Sequence, residues 1–455
     1  MNYINAKQAL TPNGWQRDIQ IGIGPDGRIS YVGPQKFQTT QKCALLLPAP
    51  VNLHSHSFQR AMAGLTEARG ADASDSFWTW RKLMYRFLEQ LTPDHIEAIA
   101  TLVFMEMLEA GYGSVAEFHY LHHAPQGKPY ENLSELGQRI IAGAQSADIG
   151  LTLLPVLYQF GGCDKRPLQG GQLRFSNTPD QFSRLHEDTA KAITKAPSDY
   201  SIGVAPHSLR AVDKHGLNAA IELYPDGPVH MHLAEQLAEV SEVESYLGAR
   251  PVEWLLNNYQ IDQRWCLIHC TQMTPEETLN LAKTRAVAGL CPITEANLGD
   301  GIFNGREFFE NQGRTGIGSD SNVDITLFDE LKMLEYSQRL KGHSRAVLAT
   351  QQHATGRNLF EQATRGGAQA ANRKTGEIAP GMLADLIGIE TDNQWLCNRQ
   401  ADQCLDSLIF TGNGQRCITD VWSAGRHVVS KGRHFQHDTI VENFKNVMAE
   451  LGNEH

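Results

Sequence analysis

Eight short apolar runs, each followed by a stretch of helical spacing, constrain this chain more than any other feature. They lie near Ala49–His54, Ser114–Phe118, Leu151–Tyr158, Ile202–Pro206, Val229–Leu233, Trp265–His269, Val287–Leu290 and Thr315–Gly318. Strands alternating with helices predict a parallel α/β sheet, and eight such units predict a (β/α)8 TIM-like barrel. Two of the helices carry clear start signals. Thr92-Pro93 pairs a cap residue with proline at the first helical position, ahead of Ile96, Ile99, Val103 and Met107, and Gly111 ends the run. Thr274-Pro275-Glu276-Glu277 forms a capping box, in which Thr274 and Glu277 satisfy each other's backbone donors.

The ends of the 455-residue chain read differently. Residues 1–47 hold short alternating stretches such as Asp18–Ile23 and Arg28–Val32 between Gly and Pro turns. Residues 372–435 repeat the pattern at Leu386–Ile389, Ser407–Phe410 and Val421–Ser423. The expectation is a small β-sandwich domain assembled from both ends, a barrel over 48–371, and an outer C-terminal helix within 436–455, roughly Thr439 to Leu451.

Forty basic against 51 acidic residues leave a formal charge of −11, which excludes a protein built to grip a nucleic-acid backbone with clustered Lys and Arg. Apolar runs stay far short of the ~20 residues of a membrane helix. The first dozen residues lack the basic-then-apolar order of a signal peptide. Eight cysteines without CxxC pairing read as reduced thiols. The expectation is a cytoplasmic protein acting on a small molecule, with neither nucleic acid nor membrane as partner.

The chemistry sits where the runs end. In Asn52-Leu53-His54-Ser55-His56, residues i and i+2 of a strand face the same way, so both imidazoles can reach one metal ion. In His230-Met231-His232-Leu233-Ala234-Glu235, His232 closes the fifth run and Glu235 follows at i+3, beside any water that His232 helps to bind. His230, deeper in that strand, suits either a core role or one that supports the ligands from behind. His269 ends the sixth run and Asp320 the eighth. Any one of these is weak evidence, since a polar residue at a strand end is usually structural. Four strand ends delivering His, His, His, His, Glu and Asp to one rim match the form of a catalytic Zn²⁺ site in a barrel enzyme.

These motifs, in this order, resemble the amidohydrolase superfamily, specifically its one-metal deaminase and chlorohydrolase branch, over nearly the whole chain to Ala379–Leu386. The resemblance implies that His54, His56, His232 and Asp320 bind the metal, one Zn²⁺ per subunit, though Fe²⁺ suits the same ligands. It implies catalytic roles for Glu235 in proton transfer, for His269 in hydrogen bonding the reacting group, and for Asp320. It also implies a homodimer. One departure is Pro48-Ala49-Pro50, where the family usually has Pro-Gly, which puts the local turn in doubt.

A finer resemblance is to members that deiminate formimidoylglutamate. It is carried by His54–Ala61, Phe77–Arg81, Ala116–Tyr120 and Ala205–Arg210. It implies that Gln59, Arg81, Tyr120, His207 and Arg210 bind substrate, and that N-formimidoyl-L-glutamate becomes N-formyl-L-glutamate and ammonia. Arginine forks suit a dicarboxylate amidine. The alternatives are a purine-type or other aromatic-base deaminase with the same ligands, and a barrel scaffold that has lost catalysis, which would usually lack a ligand.

Overall fold

The computed structural model describes residues 1–65, 67, 84–85 and 87–452. Eight strands succeed one another through the middle of the chain: β1 (Val51–Ser55), β2 (Ser114–His119), β3 (Gly150–Leu157), β4 (Ser201–Ile202, continuing at Ala205–Pro206), β5 (Val229–Leu233), β6 (Trp265–His269), β7 (Val287–Leu290) and β8 (Arg314–Ile317). β1 to β4 pair in parallel, as do β5 to β8. Parallel bridges Val204↔Val229 and Ser55↔Asp320 join the two arcs at both seams. Helices cover the strands from outside, so β2, β3, β5, β6 and β7 are buried along their whole length. Two-sided burial explains why they read as continuous apolar runs rather than alternating ones.

The fourth run is split where one strand was expected. Gly203 interrupts it, and a Cβ there would meet Leu154 at 2.7 Å and Pro228 at 2.8 Å, so the backbone passes too close to its neighbours for a side chain. The expected helix starts hold. Thr92 accepts from the His95 amide at the head of Pro93–Glu109, and Thr274 and Glu277 cap each other through bonds of 3.1 and 2.8 Å.

Both chain ends contribute to one eight-stranded hydrogen-bonded path. Its order is Arg433–His434, Arg426–Ser430, Ile418–Ser423, Leu386–Ile389, Gln41–Pro48, Asn2–Thr11, Gly14–Ile23, Ile29–Pro34. It encloses a separate core that includes Ile4, Ile19, Ile21, Leu386 and Trp422. Ser407–Phe410, expected as a strand, lies instead in the helix Asp402–Phe410. Its buried residues Cys404, Leu405, Leu408 and Ile409 recur at i, i+1, i+4 and i+5, a helical stripe that a four-residue window hides.

Arg373 binds Asp385 at 2.9 Å and Asp199 at 3.0 Å, and Arg426 also reaches Asp199, fastening the sheet to the turn before β4. The last helix, His437–Gly452, seats Ile440 against Leu102 and Met105 of Pro93–Glu109. All eight cysteines are free, and no helix among the described residues is long and apolar enough to cross a membrane.

Candidate active site

At the C-terminal ends of β1, β5 and β8, His54, His56, His232 and Asp320 are all buried, and each offers a ligand atom within 4.8 Å of the others. The strands set this geometry. His54 and His56 project from the same side of β1, and Asp320 is locked beside them, because its amide donates to the His54 carbonyl and its carbonyl accepts from the His56 amide, both at 2.9 Å. Asn52 Nδ2 donates to Ser319 Oγ and Asn52 Oδ1 accepts from the Ser319 amide, so the two strand ends are cross-linked from behind.

Two of the three imidazoles are held in one orientation through Nδ1, whereas the buried Nδ1 of His54 has no hydrogen-bond partner among the described residues. His56 Nδ1 lies 3.0 Å from the Phe118 carbonyl, and His232 Nδ1 lies 3.2 Å from the His207 carbonyl. A carbonyl accepts only from N–H, so both Nδ1 atoms carry the proton and both Nε2 atoms present lone pairs. His54 and His56 Nε2 stand 3.4 and 3.3 Å from Asp320 Oδ1, and His54 Nε2 stands 3.1 Å from His232 Nε2. Burial pushes the His54 imidazole down to about 3 and also lowers His56 and His232. For Asp320, burial acts upward, but the hydrogen bond and charge of His54, with His56 and His269, hold it well below the usual carboxylate range. Neutral imidazole nitrogens converging on an ionised carboxylate oxygen form the donor set a divalent cation requires.

Beside this cluster stand Glu235 and His269. His269 Nε2 is 3.8 Å from Glu235 Oε1 and 3.9 Å from Asp320 Oδ2, while its Nδ1 lies 3.4 Å from Glu295 Oε1. Burial would lower His269, but Glu235, Glu295 and Asp320 carry it up to about 10. Burial raises Glu235, against the opposing charges of His269 and Arg210. A buried pair of this kind retains a proton near neutrality. His269 has φ +71 and Asp320 φ +49, conformations rarely adopted by residues with a Cβ and often found where function fixes the backbone.

The cavity over these groups brings together Gln59, Tyr120, His207 and Arg210, four of the five residues expected to bind substrate. Gln59 Nε2 donates to the Tyr120 hydroxyl at 2.8 Å, and His207 Nδ1 lies 2.9 Å from Ser208 Oγ. Arg210 Nε is buried and has no hydrogen-bond partner among the described residues. Arg81, the fifth, lies outside the described residues, as does all of Phe77–Arg81. His230 sits below the site as a core residue, 2.8 Å from the Ala370 carbonyl.

The sequence reading missed several cavity residues: Tyr85, Tyr158, Phe175, Thr294 and Ser321. Tyr158 was legible, since it follows directly on β3 as a polar-tipped residue after an apolar run. Thr294 and Ser321, with hydroxyls 3.0 Å apart beside Asp320, offered no signal separable from ordinary loop polarity. Glu295, which accepts from the Cys291 amide and faces His269, reads in sequence as a helix-start acid.

Comparison with known proteins identifies the family. The profile of the amidohydrolase family matches residues 45–428, and that described as the N-terminal domain of formimidoylglutamate deiminase HutF matches residues 1–37. The chain is 43% identical to formimidoylglutamate deiminase of Pseudomonas aeruginosa, over 99% of this chain and 100% of the relative. It is 26% identical to a 5-methylthioadenosine/S-adenosylhomocysteine deaminase of Bacillus cereus, covering 85% of this chain and 82% of the relative. Among solved structures, an amidohydrolase from Brucella melitensis superposes with a TM-score of 0.94 at 44% identity, covering 99% of this chain and 100% of that one.

Proposed function

The chain belongs to the amidohydrolase family, and from that membership we propose that it hydrolyses N-formimidoyl-L-glutamate to N-formyl-L-glutamate and ammonia. The observation that carries the substrate reading is Arg210, a half-buried side chain lining the cavity whose buried Nε is unpaired among the described residues. A carboxylate of the substrate answers such a group through charge-assisted hydrogen bonds, whereas a neutral purine does not. Gln59, Arg81, Tyr120 and His207 complete the proposed substrate shell.

His54, His56, His232 and Asp320 would hold the metal, which we assign as zinc, one per subunit. When bound there, zinc acts as a Lewis acid and lowers the pKa of water from ~15.7 to about 7. Asp320 accepts a hydrogen bond from the attacking water and His269 donates one to it, so the pair holds it against the formimidoyl carbon. Glu235, raised by burial, accepts the first water proton and passes it to the terminal nitrogen, then carries the proton of the newly formed hydroxyl to the same nitrogen as its bond to carbon breaks. That nitrogen then departs as ammonia while the glutamyl nitrogen stays attached, so Glu235 must stand nearer the terminal atom. Water and amidine go in, N-formyl-L-glutamate and ammonia come out, and both protons of the water end on the ammonia.

We further assign a two-part architecture: residues 48–371 as a closed (β/α)8 barrel, 1–47 with 372–435 as the small β-domain, and 436–455 as an outer helix. The two bridged seams support the closure. Its setting is taken to be a cytoplasmic homodimer, which light scattering and fractionation test. The decisive experiment measures ammonia release from N-formimidoyl-L-glutamate, guanine and an amide analogue, with metal content determined on the same preparation. Release from the amidine alone by a zinc-loaded protein is expected. Preference for guanine, or activity without metal, would overturn the assignment.

A further inference from the structure

We propose that Glu239 is a positioning residue for Glu235, clamping the turn that aims the Glu235 carboxylate into the cavity. Glu239 matters in this way only if Glu235 carries the proton, as read above. It lies in the first turn of helix Leu237–Leu247 and is 2% exposed, although an acid at that place usually faces solvent and complements the helix end. Here it folds back instead. Oε1 accepts from the Ala234 amide at 3.1 Å and Oε2 from the Glu235 amide at 2.9 Å, so one carboxylate grips two successive peptide groups.

The grip falls on a strained link. Between β5 and Glu235 the chain passes through Ala234 at φ +52, in the left-handed region that a residue with a Cβ rarely adopts. Relaxing that angle would swing the Cα–Cβ bond of the next residue, which is Glu235. His232 does not depend on the clamp. It is fixed by β5 pairing and by its Nδ1 contact with the His207 carbonyl. Removing the clamp should therefore impair proton transfer while leaving the metal ligands in place. Glu239 also lies in the field of Arg210, so a charge-keeping variant is needed beside a neutral one.

The test compares Glu239→Gln, which loses one acceptor, with Glu239→Asp, which keeps the charge on a shorter arm. Both should lower kcat by roughly 10²-fold, the penalty of an ångström-scale misplacement, with metal content and melting temperature close to those of the parent. KM in Glu239→Asp should stay within about threefold, since ground-state binding is untouched. Adding Ala234→Gly to Glu239→Gln should recover roughly tenfold in kcat, because glycine takes the left-handed angle without a Cβ penalty. Independently of substrate, the Ala234 and Glu235 amides should exchange hydrogen faster in both variants. Parental kcat in both, unchanged exchange at the two amides, or a kcat loss that tracks metal loss would overturn the clamp. Glu235→Gln run alongside separates the two ideas: activity there refutes the role of Glu235, whereas an inactive Glu235→Gln beside a fully active Glu239→Gln refutes the clamp alone.

Discussion

In the terminal sheet, Ile4, Ile19, Ile21, Leu386 and Trp422 meet in a core of apolar side chains. At the strand ends of the barrel an equally buried region is made of His54, His56, Glu117, His232, Glu235, Glu239, His269, Glu295 and Asp320. The first region stabilises by removing apolar surface from water, at about 25 cal/mol per Å². The second does the opposite. It removes polar groups from water, and each needs a specific partner to offset the loss. Glu117 accepts from the Ser57 amide, Glu239 from two amides, and Glu295 from the Cys291 amide. The comparison teaches that buried carboxylates here serve as braces for strand-end turns as well as reagents, and that composition alone does not tell which.

Four substitutions sharpen or break this contrast. Glu235→Gln should lower kcat by about 10³-fold or more, the upper range for loss of a general acid–base group, while bound metal stays unchanged on elemental analysis. Near-parental turnover would remove the only reagent role assigned to that buried acid. Arg210→Met should act on binding instead, raising KM for the dicarboxylate roughly 10- to 100-fold with a smaller change in kcat, as loss of a charged hydrogen bond does. A KM shift equally large for a substrate without carboxylates would sever Arg210 from substrate recognition.

In the terminal sheet the effect should be on stability alone. Ile21→Ala is expected to cost about 2–4 kcal/mol in urea unfolding through the cavity it leaves, with kcat of the folded protein intact. Lost activity in the folded variant would mean that the two regions are coupled. The smallest effect is expected at His230, two residues from His232 on the same strand. Burial lowers its imidazole from 6.5 to about 4. The unfolded chain then binds more protons between those values, so this contribution to stability is complete above 6.5 and is lost as the pH falls towards 4. His230→Gln keeps a donor for the Ala370 carbonyl and should flatten the stability–pH curve in that window by about one proton, leaving activity at neutral pH unchanged. An unaltered slope would show that some other group carries the acid sensitivity.

Much of the barrel could be read from the chain because two-sided burial writes long apolar runs, and because several of those runs end together in groups able to share one cation, although each group alone would pass as structural. His54, His56, His232, His269 and Asp320 were legible for that reason. Glu239 and Glu295 were not, since an acid in the first turn of a helix has an ordinary use there, and only its bonds back to amides and imidazole reveal another. Ser407–Phe410 was misread because four apolar-leaning residues fit either period, and the helix showed only when Cys404 and Leu405 were included. The break at Gly203 depends on Leu154 and Pro228, which are remote or unmarked in the local pattern.

The seam between β1 and β8 has one further consequence. Asp320 exchanges backbone hydrogen bonds with His54 and His56, so the first and last strands together form the floor of the candidate cation site. A chain still emerging from the ribosome carries two of the four donors once residue 56 is out, and lacks the fourth until residue 320 has been made. A fragment that stops short of the eighth strand thus lacks the full candidate donor set, whereas a chain made through residue 320 already has it with the last part of the terminal sheet still to come.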